Sequence, residues 1–443
     1  MTTRPPAIVL LLSILALAAA DEPPTTQPSP SEESERSEGD GADEADEDGD
    51  SLFESDRLTG DWCGGRSFLE DRGITIDLGL TTIYQHNARG GVQTKNAHRV
   101  SGSYDLELSL DFEAIKLWQG GMLYALAEGS WDDGISDAGY VGDLFGVNGD
   151  AGGDRSIDLT ELWYEHTFFD GGLRVRAGKL DLGVDFETNA FANDETAQFL
   201  NNALINSGNV PFPDNGHGIQ FVATPCDWLY FGAGVADAEA DARETGFRTA
   251  YHGRGDSFSI YEFGLTPRLQ TAWGELPGNY RFGLWYDPQP KERFFDDLDG
   301  RRRTVPYRRD DVGFYTSIDQ VIFRERPDDE GDEQGLGVFV RYSFAHGDVN
   351  EIEHFWSAGA QYQGLIPTRD DDVIAFGAAQ GLLSEDLRLT GADPHRETVL
   401  ELYYRAELLP WLSVGPDFQW ILRPGGEHGR DAFVAGFRVQ AAF

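Results

Sequence analysis

Between residues 103 and 114 the chain alternates with almost no error. Tyr104, Leu106, Leu108, Leu110 and Phe112 fall on one parity, and Asp105, Glu107, Ser109, Asp111 and Glu113 on the other. Side chains of successive strand residues point to opposite sides, so this spacing predicts a strand with one apolar and one polar face. One such strand suits a soluble sandwich as well as a membrane barrel. Repetition separates the two. Segments of the same kind begin near residues 73, 103, 122, 157, 173, 217, 228, 258, 280, 313, 336, 352, 373, 398, 412 and 432, about sixteen in all. Many run about ten residues, the length a tilted strand needs to cross hydrocarbon.

The links between these segments differ in length by parity. Short links at 169–172, 224–227 and 409–411 follow even-numbered strands. Long polar links at 132–155, 182–216, 237–257 and 288–311 follow odd ones. Short turns on one side and long loops on the other are the plan of a transmembrane barrel. The links at 324–335 and 346–351 depart from it, one too long and one too short. An even strand number brings both ends to the periplasmic side, and the last strand runs to an aromatic, Phe443. The expected fold is therefore all-β: a transmembrane antiparallel β-barrel of about sixteen strands over residues 73–443, preceded by a short helix or plug segment at 51–72.

The start of the chain has another purpose. Arg4, an apolar run over residues 8–17 and Ala18-Ala19-Ala20 read as a cleaved secretory signal over residues 1–20, too short to span a bilayer as a helix. Residues 21–50 hold thirteen acids against Arg36 alone and almost nothing large and apolar, which predicts an acidic disordered tail. With thirteen acids and two bases inside residues 1–50, the remainder still carries 64 acids against 33 bases. That balance argues against nucleic acid as a partner. No later run of 18 apolar residues exists, so helical spans are excluded. Two cysteines are too few for a zinc site. The nine His are scattered and lack the His-Glu-x-x-His spacing. Neither a Gly-x-Ser-x-Gly elbow nor a P-loop is present, so nothing points to an enzyme or a cofactor.

Four stretches resemble the carbohydrate-selective porins of the OprB type. The first is Leu58-Thr59-Gly60-Asp61-Trp62 with Gly64-Gly65-Arg66 and Gly73-Ile74-Thr75. The second runs from Glu161-Leu162-Trp163-Tyr164-Glu165 through Phe168-Phe169-Asp170-Gly171 to Arg176-Ala177-Gly178-Lys179-Leu180. The third takes in Gly313-Phe314-Tyr315, Asp319-Gln320, residues 335–341 and Gly364-Leu365-Ile366-Pro367 with Arg369, Asp371 and Asp372. The fourth is Pro410-Trp411-Leu412, Pro416-Asp417 and Pro424-Gly425-Gly426. They lie in family order over nearly the whole chain after residue 57. The resemblance implies a monomeric or homotrimeric sixteen-stranded barrel in the bacterial outer membrane, in contact with its lipid, that passes monosaccharides and similar solutes passively. It also implies an arginine-containing constriction. Cys63 stands where the family is glycine-rich, and the acidic tail is not a family feature.

Parity nominates the channel residues. Leu162, Tyr164 and Phe168 suit lipid, which turns Glu161, Trp163 and Glu165 inward; Leu173, Val175 and Ala177 suit lipid, which turns Arg174 and Arg176 inward. These five side chains either narrow the pore or merely solvate its wall. Link 182–216, rich in Asn and Phe, either folds into the lumen or caps the mouth. Link 132–154 is rich in Asp, Gly and Asn but lacks the calcium-loop spacing, and reads as a solvated acidic loop. Cys63 and Cys226 both fall on the periplasmic side by the strand count, which suggests a disulfide pinning the 61–71 segment there. Competing readings are a general small-solute porin, a barrel anchor or adhesin with the tail as its working part, and a soluble exported β-protein.

Overall fold

The computed structural model describes residues 53, 55–240, 251, 253–294, 307–327, 329, 331–426 and 429–443. The expected signal and acidic tail lie outside them. So do parts of the links at 237–257 and 288–311.

Sixteen strands form the wall. In chain order they are β1 (Ile74–Arg89), β2 (His98–Asp111), β3 (Gly121–Trp131), β4 (Arg155–Phe168), β5 (Leu173–Leu180), β6 (Gly216–Cys226), β7 (Leu229–Asp237) and β8 (Ser257–Leu265, continued at Arg268–Thr271). There follow β9 (Gly274–Asp287), β10 (Asp311–Arg324), β11 (Gly335–Phe344), β12 (Ile352–Gln363), β13 (Val373–Leu383), β14 (Arg396–Leu409), β15 (Leu412–Leu422) and β16 (Ala432–Ala442). Each pairs antiparallel with its sequence neighbours. β1 also pairs with β16, from Gly79 opposite Ala442 to Arg89 opposite Phe433, so the sheet closes on itself within one chain. Closure matters because lipid offers no hydrogen bonds to a free strand edge. Every expected strand is present. β2 and β9 begin several residues earlier than periodicity suggested, since His98 and Gly274 extend the ladders past the apolar alternation.

The alternation works as expected. On β14, Glu397, Val399, Glu401 and Tyr403 are buried toward the interior, while Thr398, Leu400, Leu402 and Tyr404 face outward. Outward aromatics meet across neighbouring strands, as in the run Phe231, Phe263 and Phe282 with ring centroids 5.5 and 6.4 Å apart. Such outward apolar bands face acyl chains.

Before β1, a six-residue helix α1 (Gly65–Glu70) latches the seam. Leu58 N–H donates to the Ala442 oxygen at 2.8 Å, and Arg66 Nη2 to the Phe443 oxygen at 3.0 Å. Arg57 holds Asp77 of β1 through two bonds, at 2.9 and 2.6 Å. Trp62, Cys63 and Gly64 enter the helix with φ of 51, 60 and 84°. The left-handed region favours glycine, so Trp62 and Cys63 hold a backbone conformation that glycine would adopt more easily.

The expected disulfide does not form: Cys63 and Cys226 are both free thiols. The strand count put both on one side of the barrel but did not measure the distance around it. Cys63 is fixed beside the β1–β16 seam, whereas Cys226 ends β6. Five strand spacings of about 4.8 Å separate the two along the wall, far beyond the ~7 Å that a disulfide spans.

Candidate functional site

Two long loops turn inward and narrow the lumen. The loop between β5 and β6 opens on a short 3-10 turn at Leu182–Val184, where Asp181 accepts the Gly183 N–H at 2.7 Å. It later forms a one-turn helix, Asn202–Ile205, where the Asn201 side chain accepts the Ala203 N–H at 3.0 Å. These local caps satisfy donors that an inward loop would otherwise bury unpaired.

The same loop is fastened to the far wall. Glu187 N–H donates to Glu262 of β8 at 2.9 Å, and Asn189 Nδ2 to Ser317 of β10 at 3.1 Å. Leu200 and Asn201 N–H groups both donate to the Glu401 carboxylate of β14, at 2.6 and 3.0 Å. Arg438 of β16 donates to the Glu195 main-chain oxygen at 2.9 Å. Phe199 and Leu204 pack with Phe339, Val373 and Val399 into an apolar cluster inside the barrel. Of the two outcomes left open for 182–216, the inward one holds.

Loop 132–154 is not the solvated acidic loop its composition suggested. Ile135, Val141 and Val147 bury against Ile421, Ala432 and Val434. The Val147 oxygen accepts from both Gln85 and Gln419, at 2.8 and 2.9 Å. The two loops are joined to each other by Gly149 N–H to the Leu200 oxygen at 2.8 Å and Asn202 N–H to the Gly146 oxygen at 3.1 Å. Asp and Gly supply the turns while the sparse apolar residues point to the wall. No group of three His, Cys, Asp or Glu suited to a metal occurs among the described residues.

All five residues nominated by parity meet at the root of the β5–β6 loop. Register places Glu165 opposite Arg176. Trp163 Nε1 donates to Glu161 at 2.8 Å, and the Arg176 guanidinium lies 3.9 Å from the Trp163 ring centroid. Arg176 Nε donates to Glu165 at 3.0 Å. Arg174 Nη2 donates to Asp185 at 2.6 Å, and Arg176 and Gln220 donate to the other Asp185 oxygen. A charge-assisted network of this kind holds the loop root to β5 and β6. The arginines differ in access: the Arg174 side chain is 35% exposed, that of Arg176 only 8%.

Parity did not nominate Asp185, because a loop has no alternation to read. Tyr124 was missed as well. Its ring stacks on Trp163 with centroids 4.7 Å apart, and its hydroxyl donates to Glu107 at 2.9 Å. Trp163 is thus engaged by Tyr124 and by Arg176, and only 5% exposed. The polar parity of β2 was the available signal for Glu107.

Comparison with known proteins agrees with this architecture. A family model described as carbohydrate-selective porin, OprB family, matches residues 95–443. Porin B of Pseudomonas aeruginosa is 25% identical over 423 residues, which covers 87% of this chain and 91% of that protein. A putative porin, QuiX, of Acinetobacter baylyi is 22% identical over 437 residues, covering 87% and 93%. The high-pH structure of Pseudomonas putida OprB is similar with a TM-score of 0.77 at 24% identity, covering 89% of this chain and all of that one. Its low-pH structure is similar with a TM-score of 0.55. With the family model spanning most of its length, the chain belongs to the carbohydrate-selective porins of the OprB family.

Proposed function

We propose that this outer-membrane carbohydrate porin passes single sugars through the gap left between its two inward loops and the wall formed by β2 to β5. The observation that supports the reading most directly is the attachment of the β5–β6 loop to β8, β10, β14 and β16, which fills the opposite side of the lumen. Glu107, Tyr124 and Arg174 then border the passage, with Glu161 buried behind them against Trp163. Carboxylates accept sugar hydroxyls, the guanidinium donates to ring and hydroxyl oxygens, and Tyr124 offers an apolar face. Each bond replaces one to water and gains only about 1 kcal/mol, so the solute is oriented without being trapped. In this reading the more open Arg174 touches solute. Arg176, with Glu165, keeps Trp163 and the loop root in place. The barrel closes within one chain, so a monomer and a trimer would each carry one such pore per subunit.

Liposome swelling tests this reading. Arg174→Ala and Arg176→Ala are each expected to change the glucose-driven swelling rate severalfold, the first through lost contact and the second through a displaced loop root. Glucose swelling indistinguishable from the unsubstituted protein in both variants would overturn the assignment.

A further inference from the structure

The two inward loops also enclose a space away from the passage along β2 to β5. Phe145 of the β3–β4 loop, Asn202, Asn206 and Gly208 of the β5–β6 loop and Ile352 of β12 border a cavity of about 260 Å³. Ile352 is the first residue of β12. An even-numbered strand starts at the end that carries the long loops, so the cavity lies at the external mouth. Two glycines let its walls come together. A Cβ at Gly208 would stand 2.6 Å from Phe145 Cε1, and one at Gly146 would stand 2.7 Å from Asn202 Nδ2.

No ionisable side chain lines this cavity. That is unusual in a chain with 77 acids and 35 bases, and it contrasts with a passage bordered by Glu107 and Arg174. An ammonium would find no carboxylate here and a carboxylate no cation, so a charged solute would lose hydration without a partner. The polar groups present are amides with capacity to spare. Asn202 Nδ2 donates to the Phe145 oxygen at 2.9 Å and so joins the two loops, while its Oδ1 accepts no bond among the described residues. The half-buried Asn206 amide makes no hydrogen bond among them at all. Amides both donate and accept, as neighbouring ring hydroxyls require. Phe145 and Ile352 supply the apolar side, and the Phe145 ring is held edge-to-face on Phe355 with centroids 5.7 Å apart. Apolar walls with a few free polar groups are the usual make-up of a small-molecule pocket.

We propose that this cavity is an external capture site for uncharged sugars, in which Phe145 meets the C–H face of the ring and Asn202 and Asn206 bond its hydroxyls before the solute enters the charged passage. The proposal rests on the sugar-channel reading above. Current fluctuations of single channels of assigned orientation in planar bilayers at pH 7, with glucose, glucuronate and glucosamine added to one side at a time, test the two separately. From the long-loop side, glucose is expected to associate about tenfold faster than either charged sugar, because an unpaired charge is costly in an uncharged lining. Phe145→Ala and Asn206→Ala, each verified as a folded barrel by heat-modifiable migration, are expected to slow that association about fivefold, the scale of one lost bond. Association from the short-turn side should change less than about twofold, whereas a general distortion of the pore would slow both sides alike. Asn206 contributes no side-chain bond to the fold, so its replacement separates solute contact from packing. If glucose enters no faster than the charged sugars, if both sides change equally, or if Asn206→Ala behaves as the unsubstituted protein, the capture site is overturned and the channel stands. Should no sugar alter the current from either side, the channel reading fails and the capture site with it.

Discussion

Arg341→Ala probes how firmly the inward loop is held. Arg341 on β11 and Glu187 in the β5–β6 loop are both fully buried, with Nε 3.2 Å from the carboxylate. Its Nη1 donates to the Leu204 oxygen at 3.0 Å and its Nη2 to the Ala192 oxygen and to Asn193 Oδ1, the latter at 3.2 Å. One side chain thus ties three separate turns of the loop to the wall. Its loss leaves Glu187 as an uncompensated buried charge, still bonded to the Ser207 N–H and hydroxyl at 3.1 and 2.6 Å. Breaking a buried pair from one side costs about 3–5 kcal/mol. At about 1.4 kcal/mol per factor of ten, the population with this stretch of loop detached rises from about a hundredfold to about four-thousandfold. The assay compares liposome swelling in glucose and in maltose, with single-channel current noise as a second readout. The variant should admit the disaccharide more readily and conduct more noisily. Replacing both partners, by Arg341→Met with Glu187→Leu, should recover much of the exclusion because no charge is then stranded. A correctly folded Arg341→Ala barrel with unchanged maltose exclusion and noise would refute the reasoning.

Two further predictions concern the seam and the lumen charge. Arg66→Ala removes the bond to the Phe443 oxygen and the guanidinium lying 4.4 Å over Trp62; a loss of about 1–2 kcal/mol should lower the temperature at which the folded gel band disappears, and an unchanged transition counts against the latch. Glu195, held up near 7 by burial, is neutral in acid and charged in base, so cation preference in a KCl gradient should rise as pH goes from about 5.5 to 8.5, and a pH step that persists in Glu195→Gln assigns the titration elsewhere.

The wall was legible because a strand needs only parity, which the run 103–114 displays without help from the rest of the chain. Parity and register together also brought Trp163, Glu165 and Arg176 to one spot, since inward residues on adjacent strands become neighbours. The loops were not legible in the same way. Phe199 and Leu204 have no periodic context, and their apolar partners Phe339, Val373 and Val399 lie far along the chain. In the first loop, Asp and Gly dominate the composition, which hid Ile135, Val141 and Val147 as residues that seek a wall. The cysteines show the converse limit. Counting strands gives the side of the barrel, whereas contact requires the position around it.

The β5–β6 loop also has a mechanical consequence. A tube one strand thick can flatten, because its strands are hinged side to side by hydrogen bonds and nothing within the sheet fixes the roundness of its cross-section. Here a single peptide segment leaves the tube at β5, crosses the interior and is riveted at β8, β10, β14 and β16. It acts as a cross-brace under both tension and compression, backed by close-packed side chains of low compressibility. The bore is thereby fixed by the length of the brace, and lateral squeezing by the bilayer is carried through the loop before it can reshape the opening.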